Sequence, residues 1–418
     1  MLFVIVSHVG FNTFKKLRAK DLQLLLGKDY KTVLKLCINL NIIRVRNTPS
    51  KFFSDTYKAC HNEIAVINRK GCFKKVVLQD KKALKARKSY LLKTSLNYTK
   101  EQKKTFRLHY RNLLASHVLG SSKTANKINE QLLNFSPYQS IGSYCYRVYS
   151  FISNLKSDKR GEVKPIYNPY TSTSELDTKA SQPFICLCLM KCPHLVEYAF
   201  KNAQIGVLLS DLLYGIEFSD ELLFRWEQAY YQKDFYLDFW AKMLFEIDNN
   251  WELIILRLST EEQRQKIKAS SNEKREIAKL SFMLLLNSKS FYNEKTGTGL
   301  KPLLDKLEQH PVYSGLGVML KVFKSKILDF KKIMGNDNNE LSNLKKPYTT
   351  NKNLGLVITR IESALVQKVF RAVPNKWSLI LHDAIICETE NIKEFESAFK
   401  ATFLEEVYTY PKLKIKKL

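Results

Sequence analysis

With 418 residues the chain is long enough for two or three domains, and 45% hydrophobic residues let it bury a sizeable core. Lys and Arg number 68 against 40 Asp and Glu, a formal charge of +28, which points to a polyanionic partner, nucleic acid ahead of an anionic membrane surface. No apolar run nears the roughly 18 residues of a membrane span, which excludes a transmembrane protein. Eight cysteines are too sparse for a disulfide scaffold, so the expected setting is the cytoplasm, with reduced thiols.

The first apolar run, Leu2-Phe3-Val4-Ile5-Val6, is too short for a signal-peptide core and reads as a strand. Asp29–Asn41 places Val33, Leu34, Leu36, Cys37 and Leu40 at helical spacing, with strand-like segments after it around 42–45 and 63–67. Residues 1–78 are therefore compatible with a winged-helix-like module, and equally with any small α/β unit.

The next region, 79–170, is basic and helical. Between 79 and 111 its only acids are Asp80 and Glu101, while Lys81, Lys82, Lys85, Arg87, Lys93, Lys103, Arg107 and Arg111 alternate with Tyr90, Tyr98, Phe106 and Tyr110. Arg147, Lys156 and Arg160 continue the pattern. Cations over successive helical turns can neutralise phosphates and aromatic faces can stack bases, so this stretch reads as a thumb-like nucleic-acid surface.

From 171 to 418 the pattern gives a strand at 175–178, a helix at 181–191 and a helical insertion at about 198–332. A loop at 335–353, a helix at 355–372, a hairpin around 378–388 and a helix at 391–403 follow. Cys186, Cys188, Cys192 and His194 lack the paired spacing of a zinc site, and the apolar run around them favours core packing.

Three pieces carry chemistry. His382-Asp383 sits between two apolar strand segments, which puts a carboxylate at a hairpin tip. Asp177 ends a strand-like piece before a helix start. Two aspartates at adjacent strand ends can hold two Mg²⁺ ions for an in-line phosphoryl displacement. Arg275 and Lys279 are four apart on one helix face, where they can grip a triphosphate.

The order acid, Arg-x3-Lys helix, His-Asp hairpin resembles the family A (bacterial repair-polymerase-like) DNA polymerases and the related phage-type single-subunit RNA polymerases. The likeness covers about residues 140–410. The family's first motif is Asp followed by Ser-Gln, here Asp177 and Ser181-Gln182 with two extra residues between. Arg275, Lys279 and Met283 fit its helix motif, and His382-Asp383 its last. The helix before that hairpin, with Arg360, Glu362 and Gln367, is also similar.

This resemblance implies an α+β right-hand polymerase: a palm with a small antiparallel sheet, helical fingers and a thumb. It implies Asp177, Asp383 and His382 as catalytic residues, the two aspartates holding two Mg²⁺. Arg275 and Lys279 would bind the incoming nucleoside triphosphate, and Gln182 would help place the primer end. Phe184 occupies the slot of a glutamate that excludes ribonucleotides in the DNA polymerases, and its ring would meet a 2′-hydroxyl. Arg107, Arg111, Arg147, Lys156, Arg160 and Gln367 would contact DNA template and primer. The implied function is a monomeric DNA polymerase of a phage, plasmid or mobile element. No exonuclease domain fits in the first 165 residues, so proofreading is not expected. A single-subunit RNA polymerase or primase is the second reading. A non-catalytic DNA-binding replication initiator with a degenerate palm is the third.

Overall fold

The structure is a computed structural model. It describes residues 98–418 apart from 121, 134–136, 143–144, 201–202, 288–298 and 323–352, and before residue 98 only Thr32 and three strands. Those strands, β1 (Lys15–Leu17), β2 (Ile43–Thr48) and β3 (His61–Val66), form an antiparallel sheet in the order β1-β3-β2. Apart from Thr32, which is helical, the helix read at Asp29–Asn41 lies outside the described residues, as do residues 79–97 and all but the end of the loop read at 335–353.

The rest is mixed α+β, mostly helical around a small antiparallel sheet. The helix α1 (Lys100–Leu114) begins at a Thr99–Gln102 capping box, in which each side chain bonds the other's backbone N–H. After it come β4 (Ser116–Val118), α2 (Lys123–Leu133), β5 (Gln139–Ile141), β6 (Val148–Ser150) and β7 (Val163–Pro165). The strands pair as two short ribbons, β4 with β7 and β5 with β6.

β8 (Thr173–Thr178) leads through Ala180, in a left-handed conformation at φ 49°, into α3 (Ser181–Lys191). The insertion then runs through α4 (Ala203–Tyr214), α5 (Asp220–Gln232), a π-helical turn (Phe235–Trp240), α6 (Ala241–Ile247), α7 (Trp251–Leu258), α8 (Glu261–Lys268), α9 (Glu273–Asn287) and α10 (Lys301–Gln309). α11 (Asn353–Ala372) returns to a hairpin, β9 (Ser378–Leu381) and β10 (Ala384–Glu388), followed by α12 (Ile392–Val407). A last strand not anticipated from the sequence, β11 (Leu413–Lys417), closes the sheet in the order β11-β8-β10-β9.

The β9–β10 hairpin is covered on both sides, which explains its unbroken apolar strands. Side chains alternate along β10, so Ile385 and Cys387 join the larger core with α3, α11 and α12. Ile386 turns the other way, with Leu379 and Leu381 of β9, onto a smaller core of Leu113, Val118, Ile152 and Val163. The described part of the region read as thumb-like thus packs directly on the sheet, and Phe106 and Tyr110 are fully buried there. These two rings are core residues and are not available to stack bases, a correction to the sequence reading. The insertion has an aromatic centre in Trp226, Phe235, Phe239, Trp240 and Phe282, whose rings meet at centroid distances of 4.8 to 6.4 Å. Cys186, Cys188 and Cys192 lie in the large core, and burial pushes their thiols up.

Candidate active site

Antiparallel register puts Asp177 of β8 opposite Ala384 of β10. Asp383 immediately precedes Ala384, so the two aspartates meet at the turn end of the sheet. The turn itself is the pair His382-Asp383, with His382 at φ 55°, a left-handed value that costs a non-glycine residue about 1–2 kcal/mol. Burial, then the charge of Asp383, then that of Glu175, push the Asp177 carboxyl up to about 6. The Thr178 amide and Lys414, opposite Asp177 on its other side in β11, pull the other way. Ser181 Oγ, from the first turn of α3, donates to Asp383 Oδ2 at 3.3 Å.

A third acid stands behind this pair. Glu362 of α11 is 2% exposed, and its Oε2 accepts from Arg147 Nη2 at 2.8 Å while Oε1 has no partner. Burial and the charge of Asp383 raise its carboxyl to about 7, with Arg147 opposing. Burial works against the Arg147 charge, but Glu362 and Asp383 hold it protonated. α11 also fixes the loop that presents Arg147. Gln367 Nε2 donates to the Tyr146 carbonyl at 2.8 Å, Ser363 Oγ donates to the Cys145 carbonyl at 3.1 Å, and Arg360 lies over the Tyr146 ring at 4.3 Å. These contacts hold Tyr146 at φ 58°.

His382 is half-buried, its ring edge-on to Tyr149 at 5.7 Å. Burial and Arg147 lower its pKa, so the imidazole is neutral near pH 7, with a buried Nδ1 that lacks a partner.

Arg275 and Lys279 line a cavity of about 180 Å³ with Lys179 and Ala180, the residues that link Asp177 to α3. The sequence expectation therefore brings Asp177, Asp383, His382, Arg275 and Lys279 to one end of the palm. It fails for two residues, and a third, Arg275, is already taken up by Asp234 at 2.7 Å. Phe184 is fully buried, stacked on Tyr230 at 5.2 Å and against Phe403, so it offers no face to a sugar. Gln367 is buried and committed to the Tyr146 carbonyl, so it braces a loop and does not reach DNA. Gln182 is half-buried with an unpartnered Oε1. Arg107 and Lys156 are exposed. Arg111 is exposed too and donates to the Pro374 carbonyl. Arg160 is half-buried and paired with Glu175 at 3.3 Å.

Sequence reading gave no role to Glu362, and missed Asp234 and Lys414. The signal for Glu362 was present: it interrupts the apolar stripe of Ile358, Ile361, Leu365 and Val369, and an acid inside such a stripe must find a partner.

No protein family and no curated protein sequence matches the chain. Among solved structures the chain is similar to the POL domain of Pol1 from M. smegmatis, in complex with a DNA primer-template and dNTP. The TM-score is 0.36 at 9% identity, over 79% of this chain and 66% of that one. The chain thus spans just under two thirds of that structure's length. In the described residues no helix is long and apolar enough to cross a membrane.

Proposed function

We propose that this chain is a template-directed polymerase that adds nucleotides to a primer 3′ end on a DNA template. The observation that carries the reading is the meeting of Asp177 and Asp383, with Asp177 raised by burial and then by its neighbour's charge. Two carboxylates that repel each other at a partly open site fit a hard dication, which removes the repulsion. Among the described residues no group of three or more His, Cys, Asp and Glu could cage a metal. A pair suits Mg²⁺, which keeps waters and takes substrate phosphates as its other ligands. Bound by Asp177 and Asp383, two Mg²⁺ ions would supply charge to the attacking and leaving oxygens of nucleotidyl transfer.

The other residues follow from their positions. Ser181 holds one oxygen of Asp383 and so fixes the carboxylate's rotation. Arg147, kept charged by Glu362, supplies a donor for the primer end, and neutral His382 beside Tyr149 shapes the floor under it. Lys279 and the exposed Arg107, Arg111 and Lys156 offer charge to phosphates. The core position of Phe184 removes the expected sugar gate, which keeps ribonucleotide use as the second reading.

Primer extension with Mg²⁺ and separate dNTPs or rNTPs tests this. Extension with dNTPs, abolished by Asp177→Ala and by Asp383→Ala, is the expected result. Extension with rNTPs alone would move the function to an RNA polymerase or primase. Tight DNA binding with no extension would sink catalysis and leave a binding protein.

A further inference from the structure

The cavity beside Asp177 has a charge balance that the Arg275–Lys279 pair alone does not explain. Four cations line it, Lys179, Lys233, Arg275 and Lys279, against one carboxylate, Asp234. That carboxylate is spoken for. Its Oδ1 accepts the amides of Tyr236 at 3.0 Å and Leu237 at 3.1 Å, capping the π-helical turn. Its Oδ2 accepts Arg275 Nε at 2.7 Å. Arg275 also contacts Glu276 at 3.3 Å and lies over the Tyr236 ring at 5.4 Å. Releasing Arg275 to a ligand would leave Asp234 unbalanced in a half-buried position, so Arg275 is held as a strut.

The remaining cations are unbalanced. Lys179, Lys233 and Lys279 are exposed, and among the described residues none stands in an ion pair. Lys412 runs alongside, its carbonyl accepting the Lys179 amide at 2.8 Å, and after burial it is the Lys179 charge that lowers its pKa. The Tyr230 hydroxyl locks the two segments together, donating to the Lys179 carbonyl at 2.9 Å and accepting the Lys412 amide at 3.0 Å. Like charges gathered at a polar cavity repel and raise the free energy, and an anion that joins them lowers it. Lys179 is two residues past Asp177, about 7 Å of extended chain, within the span of a polyphosphate whose innermost phosphate lies at the aspartates.

We propose that Lys179 and Lys233, which line the cavity from outside α9, are ligands for the outer phosphates of a nucleoside triphosphate, shared with Lys279, while Arg275 stays on Asp234. The identity of the anion rests on the polymerase reading. The anion site itself rests only on the cavity and its lysines.

The test uses the full chain and inorganic tripolyphosphate, titrated calorimetrically without DNA and repeated with dATP. Lys179→Ala and Lys233→Ala each weaken tripolyphosphate binding about tenfold, the loss of one charge-assisted contact, and Lys233→Arg retains it within about threefold. In primer extension the nucleotide KM rises in step, with kcat and primer-template affinity unchanged. A folded double variant, verified by circular dichroism and thermal melting, that binds tripolyphosphate as wild type does would overturn the proposal. So would a nucleotide KM left unchanged in an active double variant, and in that case the polymerase reading would stand. Lysine-dependent tripolyphosphate binding by a wild type that extends no primer supports the anion site and defeats the polymerase reading.

Discussion

At one end of the β8–β10 pair Glu388 lies opposite Thr173 in a closed setting. It is 2% exposed, its Oε2 accepts from the Tyr167 hydroxyl and from Asn391 Nδ2, and Lys164 bonds Thr173 Oγ1 at 2.9 Å beside it. At the other end Asp177 and Asp383 meet with only a serine hydroxyl on Asp383, and the nearest lysine, Lys414, stands on an exposed edge strand. The same two strands thus carry one acid whose Oε2 is filled by the fold, its Oε1 buried without a partner, and two whose carboxylates stand in no ion pair among the described residues. A carboxylate that needs an outside cation is a functional group, whereas one whose oxygen is already filled by the fold is a structural one.

Exchanging the ends breaks this comparison most sharply. Asp177→Ala or Asp383→Ala should cut extension by about a thousandfold or more while the fold persists, because neither acid stands in an ion pair among the described residues. Extension above a tenth of wild type in both would end the comparison. Glu388→Ala should do the reverse, leaving kcat near wild type and costing about 2 kcal/mol of stability, as Tyr167 and Asn391 lose a buried acceptor. Urea melts beside turnover assays separate the two outcomes.

Glu362 belongs between these extremes, since it is buried like Glu388 and, after that burial, raised by the charge of Asp383. Glu362→Gln preserves shape but removes the charge that holds Arg147. The expected loss is about tenfold in extension at pH 8, carried by the primer-template KM. With the wild-type carboxyl raised to about 7, the ion pair weakens as pH falls through neutrality, so the variant and wild type should converge near pH 6. A constant ratio from pH 6 to 8 would show that Arg147 does not depend on that charge.

Much of the palm was legible because its signals are local. Apolar runs around His382-Asp383 specify a hairpin whatever else the chain does, and the β8 strand and the helices α3 and α11 follow from periodicity, though α3 starts at Ala180 without a side-chain cap. What stayed hidden depends on contacts far apart in sequence. Phe184 and Gln367 lie on elements read correctly, but which face turns inward is decided by Tyr230, Phe403 and Tyr146. The strand β11, Leu-Lys-Ile-Lys-Lys, alternates over too few residues and carries too many lysines to stand out as a strand, and it shows itself only by its register with β8.

The smallest expected effect is also the most direct reading of unmet charge at the aspartate pair. Asp177 has its carboxyl raised from 3.8 to about 6, so the folded protein holds that proton more tightly than the unfolded chain does. The stabilisation this provides is complete below about pH 4 and is lost as pH rises through 6, where the ionised side chain faces Asp383. Asp177→Asn cannot ionise. Without Mg²⁺ it should be more stable than wild type by about 1 kcal/mol at pH 7.5, after allowing for solvent screening of a partly exposed group, and no more stable at pH 4. Thermal melts show this as a shift of a few degrees that vanishes on acidification. Adding Mg²⁺ at pH 7.5 should then raise the wild-type melting temperature and leave the variant nearly unmoved, because binding to the native state alone is stabilising. Equal responses of the two proteins to Mg²⁺ would mean that Asp177 repels Asp383 without holding a metal.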